Sequence, residues 1–393
     1  MEKSPKAFNH TLVFAAACAG ILLFGLSLLA YGALQNEIIL KYGISQVAAG
    51  TLAIVLALGI MAGSLVFGPV VDRYGYKNMM VVSTLLVIGG LLGMAFTGSL
   101  LELEVAVFLI GAGGGALNGG TSALVIDISK PGRGSADLSI LSAFWGVGAL
   151  GMPLLLGGLS AWYSYETILA GISAAMLIPL FYFVFLTFPQ PKYEQGFPIK
   201  EGIAMISDPA LLLAGMVLFF QSGLESLANN WSTNYLINFR SFDPGNAKYI
   251  LSAYILALTL GRLAIGALLR KLRPYKVLAG GMALTLLGVL LLQFTQAYAA
   301  NMAGMFLIGA GVAACFPLML GYVGEMYARL SGTAFSLVFV IALIGNIAIS
   351  YLTGIISEHY GISTLPLLML ASLALLAITL VLTLRKVRKK TPI

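Results

Sequence analysis

An all-α membrane protein, twelve transmembrane helices in two pseudo-symmetric six-helix bundles, is the fold class that three observations predict. Of 393 residues, 59% are hydrophobic and only 9% charged, with 46 glycines. A soluble domain carries roughly 25% charged residues, so too little polar side chain remains to clothe a water-facing surface. The apolar residues also fall into runs of membrane-spanning length, and the two halves of the chain repeat one another.

A spanning helix needs about 20 mostly apolar residues. Such runs lie at 11–36, 46–71, 78–99, 102–128, 137–162, 167–188, 208–237, 247–269, 276–298, 301–327, 332–357 and 363–385. The first follows MEKSPKAFNH and lacks an A-x-A-like cleavage site, so it reads as a span and not as a signal peptide. Polar residues 189–207 form a linker that divides the spans six and six, predicting bundles over 1–188 and 208–393.

The repeat is specific. GSLVFGPVVDRYGYK from Gly63 aligns with GRLAIGALLRKLRPYK from Gly261, an offset of 261 − 63 = 198. The same offset carries IGAGGGA from Ile110 onto IGAGVAA from Ile308, and Asp127 onto Glu325. Two homologous halves in parallel topology follow.

Cations set the orientation, because cytoplasmic loops collect Lys and Arg. With the N-terminus in the cytoplasm, Lys3, Lys6, Arg73, Lys77, Lys130, Arg133, Lys192, Lys200, Arg270, Lys271, Arg273, Lys276, Arg329 and the tail RKVRKK all fall inside. Only Lys41, Arg240 and Lys248 fall outside, so both termini are expected in the cytoplasm and the chain in an inner or plasma membrane. The net charge of +7 thus reflects topology and anionic headgroups. These cations are scattered over loops, which argues against nucleic acid as a partner.

Catalysis finds no support. Cys18 and Cys315 sit in apolar runs, His10 and His359 are isolated, and no G-x-S-x-G, H-E-x-x-H or Walker-type stretch occurs. Neither an enzyme, a metal nor a cofactor is expected. The glycines of GAGGGALNGG, 111–120, lie within an apolar span and read as helix-packing positions, not as a phosphate loop.

The loop after the second span reads GPVVDRYGYK, Gly68 to Lys77, with Asp72, Arg73 and Gly75 between. It resembles the signature of the major facilitator superfamily, G-x-x-x-D-R-x-G-x-[RK]. Gly68 allows close helix approach, Asp72 can cap a helix terminus, and Arg73 and Lys77 anchor the cytoplasmic face. Asp127, ending the fourth span, is the expected partner of this cluster in a lock that breaks on rocking. In the second half Arg270 stands in place of Asp72, and Glu325 remains as the partner.

Within that superfamily, GAGGGALNGGTSALVID, QSGLESLANNWSTNYL and FLIGAGVAACFPLMLGYVGE look like the fucose–galactose–glucose:proton symporter family. The resemblance implies that Gly223-Leu224-Glu225 matches a G-x-[EQ] pattern in the seventh span, and that Asn36-Glu37 matches an Asn–acid pair. Where family members carry a Glu in the fourth span, this chain has Asn118. Coupling then falls to Glu225 or Glu37, or the protein is an uncoupled facilitator.

The residues carry a reading of their own. An acid at membrane depth is costly unless paired, protonated or hydrated, and marks a functional site by default. Gln221, Glu225 and Asn229 recur every four residues and form one polar stripe. Asn230, Trp231 and Asn234 point away from it and could join only if the helix unwinds there. Amides offer donors and acceptors to a polyhydroxylated ligand, and an indole covers its C–H faces. Further cavity candidates are Gln35, Asn36, Tyr31, Asn118, Ser122, Trp145, Tyr254 and Asn346. Arg262 is a membrane-depth cation expected to pair with Glu325 or to snorkel to the surface, in a structural or gating role.

The expectation is a secondary transporter, monomeric, that rocks its two halves about a central site to move a small polar solute, a hexose. Proton (or sodium) coupling would run through Glu225, with Glu37 beside it. Export of amphipathic drugs or lipids is the alternative, kept open by 15 Met and 21 Phe.

Overall fold

The computed structural model describes residues 8–193 and 199–390. Twelve helices among these residues are long and apolar enough to cross a membrane. They are α1 (His10–Ala33), α2 (Ala48–Tyr74), α3 (Tyr76–Phe96), α4 (Leu100–Ile128), α5 (Gly134–Leu159) and α6 (Tyr165–Phe185). The second set comprises α7 (Pro209–Asn238), α8 (Pro244–Leu268), α9 (Pro274–Phe294), α10 (Tyr298–Met326), α11 (Ala328–Tyr360) and α12 (Ile362–Arg385). Each coincides with an expected span to within a few residues. The first ends earlier than expected, at Ala33, and the chain continues as a separate short helix, Gln35–Tyr42, closed by Gly43 at φ +61.

Local chemistry explains the starts and breaks. Asn9, Ser45, Ser99, Asp208 and Asp243 each accept a hydrogen bond from a backbone N–H of the first turn that follows. In α10 the helix is interrupted between Val312 and Cys315. Pro317 has no N–H, and its ring crowds the carbonyl four residues back, at Ala313. In α7 the segment Leu227–Trp231 is widened to a π-helix. The Ser232 hydroxyl donates to the Ala228 carbonyl within that distortion.

The chain forms two compact units. One holds residues up to Lys130 with Phe144–Gly202 and Tyr327–Ser336; the other holds Pro131–Ala143, Ile203–Met326 and the residues from Leu337 on. The start of α5 and the start of α11 thus each belong with the opposite half of the sequence. In the first unit α4 packs on α1, α2 and α3, and α6 on α1 and α3. In the second, α10 packs on α7, α8 and α9, and α12 on α7 and α9.

These are the same pairings, and they coincide at single residues. A Cβ on Gly111 would lie 2.4 Å from the Leu56 carbonyl oxygen, and one on Gly309 would lie 2.2 Å from that of Tyr254. Since 309 − 111 = 254 − 56 = 198, the offset read from the sequence is the offset of the helix contacts. The glycines of 111–120 are therefore packing positions: Gly111, Gly113 and Gly115 let two backbones approach, and Gly114, Gly119 and Gly120 leave room for the Phe24, Phe67 and Met79 side chains.

Candidate functional site

In the second unit, polar groups gather where α7 meets α8. Glu225 is the hub. Gln221 Nε2, one turn earlier, donates to its Oε1 at 2.7 Å. Arg262 Nη2, from α8, donates to the same oxygen at 3.3 Å in an ion pair. The Arg262 side chain is 9% exposed and that of Glu225 21%, so the carboxylate is the more accessible partner. Tyr254, two turns earlier on α8, is fully buried beside Asn229, within electrostatic reach of Glu225 and Arg262. The Gln221 Oε1 is buried and has no hydrogen-bond partner among the described residues, while the Tyr254 hydroxyl has the Asn229 amide for a neighbour.

The sequence expected Arg262 to pair with Glu325 or to reach the surface. Its partner is Glu225: the long Arg262 side chain reaches it from α8, and a buried guanidinium needs a counter-charge at its own depth. Glu325 is exposed, and among the described residues no ion pair reaches it.

Of the polar stripe of α7, Gln221 and Glu225 bond to one another, while Asn229 lies within the distortion at Leu227–Trp231, which falls where Asn230 and Trp231 required one. Those residues nevertheless bond elsewhere. Asn230 Nδ2 donates to Ser226 Oγ at 2.9 Å, and Asn234 accepts from Asn238. Trp231 Nε1 donates to Ser350 Oγ of α11 at 3.0 Å, and its ring lies against Gly354. Asn346 Nδ2, also on α11, donates to the Ser222 carbonyl at 3.2 Å. Thus Trp231 and Asn346 tie α11 to α7.

The other candidates belong to the first unit or to short segments. Asn118 is half-buried in α4, its carbonyl accepting from Ser122 Oγ at 2.8 Å. Trp145 and Gln35 are half-buried. The Tyr31 hydroxyl donates to the Ala49 carbonyl, a bond between α1 and α2. Glu37 is exposed on the short helix beyond α1, where water hydrates its carboxylate. The Asn36 side chain lies outside the described residues.

A second polar cluster sits in the first unit around the signature loop. Asp72 is fully buried and accepts from Thr333 N at 2.9 Å and Thr333 Oγ1 at 2.8 Å. It caps the first turn of the regular α-helix that opens α11 at Ser331. A Cβ on Gly68 would lie 2.3 Å from the Gly332 carbonyl oxygen, so the signature glycine lets that turn approach. Asp127 accepts from Tyr76 Oη at 2.5 Å and Ser331 Oγ at 2.8 Å. It also forms an ion pair with Lys192 Nζ at 2.8 Å.

The sequence paired Asp127 with the signature loop as a whole. Its partners are the loop's Tyr76 and, from outside it, Lys192 and Ser331. Arg73 and Lys77 are exposed, Arg73 lying over the Tyr74 ring with 5.0 Å to its centroid. Gly75 turns the chain at φ +82, a conformation L side chains rarely adopt. Lys192 further donates to Ser331 Oγ at 2.6 Å and to the Ala328 carbonyl at 2.8 Å. The repeat-related Arg270 is exposed. The bonding roles of Lys192, Tyr76, Ser331 and Thr333 escaped the sequence reading; the S-G-T stretch opening the eleventh span was the available signal.

The family model of the Major Facilitator Superfamily matches residues 12–241 and 211–393. A 3-(3-hydroxy-phenyl)propionate transporter of Escherichia coli is 26% identical over 260 residues, covering 64% of this chain and 63% of that protein. An uncharacterized MFS-type transporter of Yersinia pestis is 20% identical over 344 residues, covering 86% and 87%. Among solved structures, FucP in the outward conformation superimposes with a TM-score of 0.79 at 18% identity, covering 94% of this chain and 98% of that one. The proton:xylose symporter XylE gives 0.78 at 12% identity, covering 94% of each. These structural likenesses show the fold. With the twelve spans and the signature loop in place, the chain belongs to the major facilitator superfamily, as a multi-pass membrane transporter.

Proposed function

We propose that the protein is a proton-coupled symporter of a small polar solute of monosaccharide size, working by alternating access of its two repeat halves. The observation that carries this reading is Glu225, an ion-paired carboxylate deep in α7 that keeps 21% exposure on a stripe of amides. A carboxylate at that depth must be paired or protonated. A group that exchanges one state for the other is what proton coupling requires. Glu37 is exposed outside the spans and contributes less to this reading.

A hexose is the first solute to test, on the strength of the Gln221 and Asn229 amides. FucP and XylE lend it only a shared fold, since their sequence identity is low. Cation placement supports an inner or plasma membrane location with both termini in the cytoplasm. The bundles would follow residues 1–188 and 208–393, joined by 189–207, with the chain acting as a monomer. Gly68, Asp72, Arg73, Gly75, Lys77 and Asp127 would govern gating, with Arg270 and Glu325 as their counterparts in the second half.

The test is uptake into proteoliposomes of labelled small polar solutes, hexoses and sugar acids among them, and of amphipathic drugs, with and without an inward proton gradient, for wild type and Glu225→Gln. Gradient-driven accumulation by the wild type, absent in the variant, is the expected result. Equal accumulation by both would remove Glu225 from coupling. Movement of drugs without any polar solute would favour the exporter.

A further inference from the structure

The Glu225–Arg262 pair constrains the charge of the solute. Titratable or charged groups face Glu225 from α8 (Arg262 and Tyr254) and from α10 (Cys315). On its own helix its neighbours are the amides of Gln221 and Asn229. Of these, Arg262 is the permanent cation. In the resting pair its charge is matched, and the cluster is neutral.

Taking up a proton changes that balance. Protonated Glu225 no longer offers a negative charge to the Arg262 guanidinium. Breaking a buried pair by neutralising one partner is strongly unfavourable. A neutral sugar cannot restore the balance, because hydroxyls carry no charge. An anion that arrives with the proton can.

We propose that the solute is a small hydroxylated monocarboxylate, its carboxylate received by Arg262 while Glu225 holds the co-transported proton. The inference rests on the proton-coupled reading above and narrows its substrate class. Arg262 offers a planar fork suited to a carboxylate. The Tyr254 hydroxyl, buried beside the Asn229 amide, supplies a second donor. The Gln221 Oε1, buried and without a hydrogen-bond partner among the described residues, accepts from a solute hydroxyl. One proton and one monoanion cross together, so the cycle moves no net charge. On release of both, Glu225 is ionised and its salt bridge with Arg262 re-forms.

The test uses the full-length protein in proteoliposomes with gluconate and glucuronate as anions, and glucose and galactose as neutral counterparts. A pH gradient and a potassium–valinomycin potential are imposed separately. Anion accumulation driven by the pH gradient and unchanged by the potential supports the proposal. Accumulation of the neutral sugars, accelerated by an inside-negative potential, overturns it and leaves the proton-coupled reading standing. No gradient-driven uptake of any solute overturns both.

Binding is read independently as the ligand-induced rise in melting temperature in detergent. The variant is Glu225→Gln with Arg262→Gln, which removes both charges together and leaves no buried ion unpaired. It should remain folded, while gluconate affinity falls by at least about 30-fold. Gluconate binding at wild-type strength in that double variant would also overturn the proposal.

Discussion

Replacing Lys192 by Met removes one ammonium from the first unit and leaves its aliphatic stem in place. That ammonium bonds three groups: Asp127 at 2.8 Å, Ser331 Oγ at 2.6 Å and the Ala328 carbonyl at 2.8 Å. Two of the three lie in the segment Tyr327–Ser336, which packs with the first unit. Hydrogen bonds to charged groups are worth about 1.5–3 kcal/mol. The Lys192 side chain is 25% exposed and that of Asp127 12%, so solvent screens part of the pair. Asp127 keeps its bonds from Tyr76 and Ser331. We therefore take a loss of about 2 kcal/mol in the local anchoring of the segment.

Hydrogen exchange reads that quantity directly, because amides there exchange through local opening. At about 1.4 kcal/mol per tenfold, exchange should accelerate about 30-fold. The informative amide is Thr333 N–H, which is bonded to Asp72 and not to Lys192. It speeds up only if the segment opens as a unit. Deuterium uptake by peptides spanning 327–336 in Lys192→Met, against wild type in the same detergent, provides the measurement. Unchanged uptake at Thr333 would refute the idea that Lys192 anchors the segment, as would equal acceleration across α8, α9 and α10.

Two further outcomes are expected. Gly63→Ala places a Cβ 2.0 Å from the Ala112 carbonyl oxygen, whereas Gly261→Ala meets the Ala313 Cβ at 2.8 Å. An ordinary contact of 3.4 Å needs 3.4 − 2.0 = 1.4 Å of separation in the first case and 3.4 − 2.8 = 0.6 Å in the second. Overpacking costs typically about 1–3 kcal/mol, so Gly63→Ala should lower the melting temperature markedly more than its repeat mate; equal shifts would contradict the close approach. Asp72→Ala strips the Thr333 N–H and hydroxyl of their acceptor and should destabilise by about 2 kcal/mol, while Arg270→Gln, at an exposed site, should leave the melting temperature unchanged.

The architecture was legible because it depends on composition and period. Lipid demands long apolar helices whose backbone bonds close internally, and twelve such runs can be counted in the letters. The repeat was legible because two backbones in contact constrain residue size, so small residues recur at fixed spacing. Partner identity was not. Arg262 was assigned to Glu325 or to the surface, and its pairing with Glu225 depends on the depths at which α7, α8 and α10 sit, which no local pattern encodes. Lys192 was read as a topology charge because nothing in a linker sequence indicates which side chain folds back onto a helix end. A helix distortion was the condition set for Trp231 to join the stripe; the distortion is present, but the Trp231 bond to Ser350 required knowing which helix packs there.

The repeat also shows where the two halves have diverged. Helix contacts recur at the offset of 198, yet the charges at the same offset do not behave alike. Asp72 is buried and caps the first turn of a helix, while its counterpart Arg270 is exposed. Asp127 is held by Lys192, Tyr76 and Ser331, while its counterpart Glu325 is exposed. Conversely, Arg262 carries the buried ion pair of the second unit, and its counterpart at 262 − 198 = 64 is Ser64, an uncharged residue. Packing positions must be kept if both bundles are to close, so they retain the ancestral pattern. Charged positions are free to specialise once packing is secure. One half has placed its buried charge at a helix end, where it anchors the start of α11, and the other has placed it beside the polar stripe of α7. That division separates a group suited to holding a conformation from a group suited to binding, and it is the reason to look for solute recognition at Glu225 and Arg262.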